Sequence, residues 1–175
     1  HTVGEGNSHV KVGPIEPGTA YCPGDGTGTQ CAYGNNSSTA DPIGGCLWTF
    51  TGFPDGGILG GTGSPDATPD VMLVATDIQN NFGIFFGANN QTNGGAGNVL
   101  NDGLRCAGGG LIRLTAPTPA TGNTASFGPV EAGDPNGDPG ATSGATRRYQ
   151  YWFRSPGGPG GQMANLTNGY EISWL

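Results

Sequence analysis

The sequence has few charged residues and few large aliphatic ones. Charged residues make up 11% of the 175 positions, and 6 basic against 13 acidic side chains give a net charge of −7. So few Lys and Arg argue against a nucleic-acid partner, because phosphate backbones are bound by clustered positive charge. Leu, Ile, Val and Phe together fall below the roughly 20% that usually accompanies a packed core. Seven Phe, five Tyr and three Trp nevertheless favour a folded domain, although one with a thin core.

Long helical segments and long apolar runs are also lacking. The chain contains 36 Gly and 14 Pro, which destabilise a helix interior by about 1 and 3 kcal/mol each. No stretch of about twelve residues is free of them and also repeats its apolar residues at helical spacing. No apolar run approaches the roughly 18 residues that a membrane-spanning helix requires. The length predicts one domain, and these absences make it an all-β domain without a membrane span.

Short apolar and aromatic segments between Gly- and Pro-rich turns predict the strands. In 148–154, Tyr149, Tyr151 and Phe153 alternate with polar residues, as in a strand with one buried face, and 170–174 alternates in the same way. A long loop is expected over 54–70. The number and spacing of strands predict an antiparallel β-sandwich, Ig-like or jelly-roll-like, with long Gly/Pro-rich loops. The other expected strands are 47–50, 71–75, 82–86, 104–106, 111–114 and 124–127.

The four cysteines predict two disulfides and a secreted protein. Cys22, Cys31, Cys46 and Cys106 are even in number, and a thin core benefits from covalent ties. They contain no C-x-x-C pair, which argues against zinc. Three pairings are open, and we expect Cys22–Cys31 as a local link and Cys46–Cys106 as a link between strands. The sequence begins at His1, which we interpret as the start of a mature, secreted form without its signal peptide.

Residues 1–21 are expected to form an extension, and 22–175 the sandwich domain. The extension contains both histidines and the single lysine, with a short alternating stretch over 8–15. This stretch predicts an edge strand or a strand donated to another copy of the chain. Its alternative is a terminal tail without fixed structure. The candidate assembly residues are His9, Val10, Lys11, Val12 and Ile15.

Five sequence strings in a fixed order resemble a known family. They are CPGDGT (22–27), NFGIFFGANN (81–90), NDGLRCAGG (101–109), RYQYWFRSP (148–156) and ANLTNGYEISW (164–174). Together they resemble a functionally uncharacterised, glycine-rich, disulfide-containing β domain found at the C-terminal end of secreted bacterial proteins. The resemblance covers 22–175, implies secretion and disulfides, and supplies no catalytic residues. This chain differs by extra loops around 54–70 and 134–144 and by the short segment that precedes the domain.

Asp134, Asn136 and Asp138 form a candidate calcium loop. Their oxygen side chains alternate as at the start of short calcium-binding loops, but Ala145 stands where an EF-hand needs glutamate. The alternative is a set of ordinary turns, because Asp and Asn cap their own backbone. No other cofactor is expected.

Four asparagines lead N-x-S/T sequences and are candidate glycosylation sites: Asn35, Asn36, Asn90 and Asn165.

Catalytic motifs are absent from the sequence, so we do not expect an enzyme. The two histidines, His1 and His9, both precede the predicted domain, and no nucleophile-elbow or phosphate-loop motif occurs. Two enzyme alternatives stay open. One is a copper site at the His1 amine and imidazole with His9, and the other is a carboxylate pair of the glycosidase type.

The sequence predicts an extracellular structural protein whose partners are copies of itself. The subunits would join into a filament or surface layer when residues 8–15 add to the sheet edge of a neighbour. The alternative is a monomeric, secreted module that binds carbohydrate or a cell surface, with Trp48 or Trp152 as the platform on which a sugar stacks.

Overall fold

A computed structural model gives the fold of the protein, and the residues it describes are 16–38, 41–66, 70–130 and 137–175. These residues form short antiparallel strands and one 3-10 helix at Thr92–Gly95, so the all-β prediction is confirmed. In the described residues no helix has the length and apolarity needed to cross a bilayer. The strands are β1 (Thr19–Tyr21), β2 (Ile58–Thr62), β3 (Val71–Thr76), β4 (Phe82–Ala88), β5 (Asn90–Gln91), β6 (Asn98–Leu100), β7 (Gly103–Arg105), β8 (Ala107–Gly108), β9 (Ile112–Arg113), β10 (Thr118–Pro119), β11 (Ala125–Val130), β12 (Thr146–Arg154), β13 (Ala164–Leu166) and β14 (Gly169–Ser173).

Two antiparallel sheets form the sandwich. The large sheet has the order β1-β14-β12-β4-β10, with β13 beside β12 and β9 beside β4. The small sheet has the order β11-β3-β2. The register pairs Tyr151 with Phe85, which places both side chains on the same face of the large sheet.

The core lies between the two sheets, on the faces that the alternation predicted. Tyr149, Tyr151 and Phe153 of β12 are at most 1% exposed, and Leu73 of β3 packs against them from the small sheet. The aromatic rings supply much of the apolar area, which offsets the small number of aliphatic side chains. Other core residues are Leu59, Val71, Ala75, Phe85, Tyr170, Ile172 and Trp174.

The disulfide pairing differs from the expected one. Cys22 bonds to Cys106, and Cys31 bonds to Cys46, with Cα–Cα distances of 5.9 and 6.0 Å. The expected Cys22–Cys31 and Cys46–Cys106 pairs are therefore wrong. Cys22 directly follows β1 and Cys106 directly follows β7, and the fold brings these two strand ends together although 84 residues separate them. Sequence proximity is a poor guide because strand packing decides which cysteines meet.

Two strand predictions also need correction. Residues 47–50 form no strand, because the Leu47 N–H donates to the carbonyl of Asn35 in a loop and the Trp48 indole donates to the carbonyl of Asp77. Conversely, the expected 54–70 loop contains β2 at Ile58–Thr62. Its Gly60 and Gly61 are unusual in a strand, and Gly61 is needed where the Tyr170 ring packs closely against the backbone.

Candidate assembly site

One lateral side of the sandwich, where β1 lies beside β2, is closed by side chains. The Leu59 N–H donates to Asn168 Oδ1 at 2.7 Å, and Asn168 Nδ2 donates to the Leu59 carbonyl at 3.0 Å. The Gly18 N–H donates to the Tyr170 hydroxyl at 3.1 Å, so the chain entering β1 lies across the gap between the sheets. The backbone groups of Leu59 at the β2 edge are therefore already used.

The opposite side of the sandwich opens into a groove between β11 and the β4/β10 edge. Its cavity volume is about 340 Å³, and no described residue pairs with the outer edge of β11. Phe85 and Phe127, whose rings lie 6.0 Å apart, join the two sheets beside it. We call this cavity the edge groove. It is lined by Gly83, Phe85, Thr115, Thr118, Pro119, Thr121, Thr124, Ala125, Ser126 and Tyr151.

The Tyr151 hydroxyl lines the edge groove without a hydrogen-bond partner among the described residues. The side chain is 1% exposed, and burial raises the pKa of its hydroxyl to about 12. The group is therefore protonated at neutral pH and can donate a hydrogen bond. A buried, unpaired hydroxyl costs about 1–3 kcal/mol, so a polar atom entering the groove would be stabilised there. No charged residue in the described part of the chain lines the groove, which favours an uncharged occupant such as a backbone segment.

The edge of β4 differs from that of β11 because it is covered. The Leu114 N–H donates to the carbonyl of Phe85 at 2.9 Å, and the Phe85 N–H donates to the Thr115 hydroxyl at 3.2 Å. The short strands β9 and β10 pair with the two ends of β4. Strand addition at the edge groove would therefore use β11. Pro129 and the register shift after Phe127 limit its regular part to Ala125–Phe127.

The predicted assembly residues lie outside the described part of the chain. This applies to His9, Val10, Lys11, Val12 and Ile15, and also to His1. The described end of the predicted extension is integral to the domain, since β1 pairs with β14 in register Thr19–Glu171 to Tyr21–Gly169. The sandwich therefore begins at β1, three residues before Cys22.

Two of the four candidate glycosylation asparagines are buried. Asn35 and Asn165 are 0% exposed, and both donate through Nδ2 to the carbonyl of Leu47. A glycan on either nitrogen would break these bonds and occupy core space. Asn36 is half-buried and donates to Gln30, whereas Asn90 is exposed.

Asp138 is bound to an arginine. Its two oxygens accept hydrogen bonds from Arg147 Nε and Nη2, each at 2.8 Å, and both side chains are buried. Arg147 also donates to Asn89. The other candidate calcium ligands, Asp134 and Asn136, lie outside the described residues. In the described ranges no three His, Cys, Asp or Glu side chains come together in a group that could hold a metal ion.

Sequence reasoning identified Tyr151 only as a core residue. The alternation in 148–154 places its ring correctly, but the unpaired hydroxyl depends on how far β11 and β4 stand apart.

The two candidate sugar platforms are both half-buried. Trp48 packs against Phe53 with ring centroids 4.9 Å apart, and Trp152 donates to Asn101 Oδ1 at 3.3 Å. No pattern in the sequence distinguishes the surroundings of Trp48 and Trp152 from those of the buried Tyr151.

Comparison of the chain with protein-family models, with curated proteins and with solved structures finds no match. The resemblance to a C-terminal domain of secreted bacterial proteins stays a prediction.

Proposed function

We propose that this protein is an extracellular structural subunit that assembles head to tail by strand addition. Residues 8–15 of one copy would pair with β11 of the next and place Val10 and Val12 in the edge groove. These two valines share a face by alternation, while His9 and Lys11 face outward. Each junction would close the open side of one sandwich with a strand from its neighbour.

The observation that supports this proposal best is the asymmetry of the sandwich. The chain enters the domain on the closed β1/β2 side, and the edge groove lies on the opposite side. A contact from one side of a subunit to the other side of the next is heterologous, and such contacts repeat into an open filament unless the rotation closes a ring. Bonds from Asn168 to Leu59 prevent the entry side from accepting the same strand.

The length of the connecting chain favours a neighbouring copy over the chain's own groove. Val10 lies six residue steps before Glu16, and six steps of extended chain span at most about 22 Å. The four strand-to-strand steps from β1 to β10 already cover about 19 Å at about 4.8 Å per step. The packed core blocks that direct line, so a path around the outside is longer.

An incoming strand would also satisfy the polar groups of the edge groove. Its backbone carbonyls would accept hydrogen bonds from the β11 edge and from the Tyr151 hydroxyl. Two disulfides indicate an oxidising environment, and we propose that this environment is outside the cell. A low density of charge limits the repulsion between stacked subunits.

Negative-stain electron microscopy and analytical ultracentrifugation of the full chain test this proposal. We expect the wild type to form filaments and the Val10→Asp/Val12→Asp variant to remain monomeric, because two carboxylates cannot enter an uncharged groove. Val3→Asp is the matched control, since it adds charge to the same segment outside the predicted strand. Tyr151→Phe should raise the critical concentration for assembly about tenfold while the monomer stays folded.

The proposal fails if the wild type stays monomeric at high concentration. It also fails if a variant lacking residues 1–15 forms the same filaments. Mixing that truncated variant with wild type should shorten the filaments, because it accepts a strand but donates none.

A monomeric carbohydrate-binding module is the second candidate function, and the half-buried Trp152 supports it. This function predicts retardation of the protein in gels that contain soluble polysaccharide, and loss of that retardation in Trp152→Ala. A wild type that is monomeric and retarded would favour this candidate over the structural subunit.

A further inference from the structure

The outer face of the large sheet carries a second groove, separated from the edge groove by the sheet itself. Trp152 and Ile84 are direct register partners on this face, turned away from Tyr151 and Phe85. The cavity has a volume of about 270 Å³. We call it the outer groove, and its apolar walls are Ile84, Phe86, Leu100, Leu111, Trp152 and Leu166.

Among the described residues, two arginines line the outer groove and no acidic residue does. Arg105 and Arg113 are exposed, and neither side chain makes an ion pair or hydrogen bond with a described residue. By contrast, Arg147 and Arg148 are both paired with carboxylates. Among the described residues, these two positive charges beside an apolar cavity thus have no partner, although the chain carries a net charge of −7. Their chemistry favours an anionic head group.

The apolar walls of the outer groove indicate what kind of molecular body would accompany the anionic head group. Leu100 and Leu111 are 38% and 48% exposed, so apolar surface remains open to solvent beside the arginines. A sugar ring stacked on Trp152, as the second candidate function requires, would leave some of its hydroxyl groups facing aliphatic side chains, which costs free energy when no partner replaces water. The outer groove therefore favours a hydrocarbon body over a sugar. A hydrocarbon body gains by burial at the same place. The Trp152 indole N–H is directed to Asn101, which fixes the ring as part of the wall.

We propose that the outer groove binds a small amphiphilic anion, with a hydrocarbon body against Trp152 and a carboxylate or similar head group between Arg105 and Arg113. A free medium-chain fatty acid has this chemistry. The site lies on a different face from the β11 edge, so binding does not depend on assembly and should not prevent it.

Isothermal titration calorimetry with octanoate and 1-octanol tests the site, because the two share a chain and differ in charge. We expect octanoate to bind at least about tenfold more tightly than octanol to the wild type. The Arg105→Gln/Arg113→Gln variant should lose that difference and bind both ligands with the weaker affinity. Arg154→Gln is the matched control, because Arg154 is also exposed and unpaired among the described residues but does not line the outer groove.

Circular dichroism establishes that the variants are folded, which is expected because the substituted side chains are exposed. The proposal is overturned if octanoate gives no binding heat, or if octanoate and octanol bind equally. A loss of octanoate affinity in Arg154→Gln as large as in the double variant would overturn it too. An anionic lipid surface offers the same head-group chemistry as a free fatty acid, and flotation with phosphatidylglycerol vesicles distinguishes the two. Binding to the vesicles without binding of free octanoate would contradict the proposed site.

Discussion

Asn168 hydrogen-bonds to both backbone groups of Leu59, as a neighbouring strand would. The Leu59 N–H donates to Oδ1 at 2.7 Å, and Nδ2 donates to the Leu59 carbonyl at 3.0 Å. Both residues are buried, so no water replaces these bonds if the amide is removed. One side chain thus ends the small sheet at β2.

Substitution Asn168→Ala should destabilise the protein by about 3 kcal/mol, because it leaves a buried donor and a buried acceptor unpaired. The free energy of unfolding in guanidinium chloride measures this loss. Asn90→Ala is the matched control, since Asn90 is exposed, and it should change stability by less than about 0.5 kcal/mol. Equal stability of the two variants would mean that Asn168 does not close the β2 edge.

The two disulfides should contribute unequally to stability. The Cys22–Cys106 bond closes a loop of 84 residues, and the Cys31–Cys46 bond closes a loop of 15. In the chain-entropy relation these loops correspond to about 4.5 and about 3 kcal/mol. Cys22→Ala/Cys106→Ala should therefore lower the unfolding free energy more than Cys31→Ala/Cys46→Ala.

Peptide mapping without reductant checks the disulfide pairing itself. A peptide that joins Cys22 to Cys31 would contradict the pairing.

Gly83 should be required where β4 passes the Tyr151 ring. A Cβ atom at Gly83 would overlap the Tyr151 hydroxyl and ring carbons, and the ring is held between the sheets. We expect Gly83→Ala to cost about 3 kcal/mol by overpacking. Gly60→Ala in β2 is the control, because a Cβ there meets no atom within 4 Å. If thermal unfolding places both variants at the wild-type midpoint, the Tyr151 ring is free to move away from β4.

The ion pair between Asp138 and Arg147 should contribute more to stability than the pair between Glu171 and Arg148. Asp138→Asn leaves a buried guanidinium without its counterion, which we expect to cost about 4 kcal/mol. Glu171→Gln breaks a pair whose side chains are 21% and 29% exposed, and should cost less than about 1 kcal/mol.

Because Arg147 binds both oxygens of Asp138, added calcium should leave the wild-type Tm unchanged. A calcium-dependent rise in Tm that disappears in Asp138→Asn would show instead that this carboxylate binds the ion.

The alternation of aromatic and polar residues was sufficient to predict the core faces of β12 and β14. Tyr149, Tyr151 and Phe153 are buried as the period of two requires, because a strand in a sandwich has one face toward the other sheet. Leu47 to Phe50 has the composition of a strand but lies among loops, since no strand in the described ranges pairs with it. The strand propensity of a segment does not indicate whether another strand lies beside it to pair with.

Long-range arrangement accounts for the features that the sequence did not predict. The pairing of Cys22 with Cys106 depends on β1 and β7 ending side by side. The sequence signal for β2 is weakened by Gly60 and Gly61, of which Gly61 packs against Tyr170. Arg105 and Arg113 lie on different strands, β7 and β9, so their spacing in the sequence does not indicate that both line the outer groove. For the Cys22–Cys106 bond, and for Gly61 beside Tyr170, the decisive neighbour lies tens of residues away.

The position of Cys22 directly after β1 determines how this domain would respond to mechanical tension. A pull on the chain before Glu16 would act first on the three residue pairs between β1 and β14. Once those hydrogen bonds separate, the force would reach Cys22, whose covalent bond to Cys106 joins it to the end of β7. The load would then be carried through a covalent link instead of peeling the sheet further. In an oxidising environment the pulled chain would therefore gain only the few residues before Cys22 in length, because the disulfide then bears the force. A reductant would break the disulfide and let the sheet unfold further.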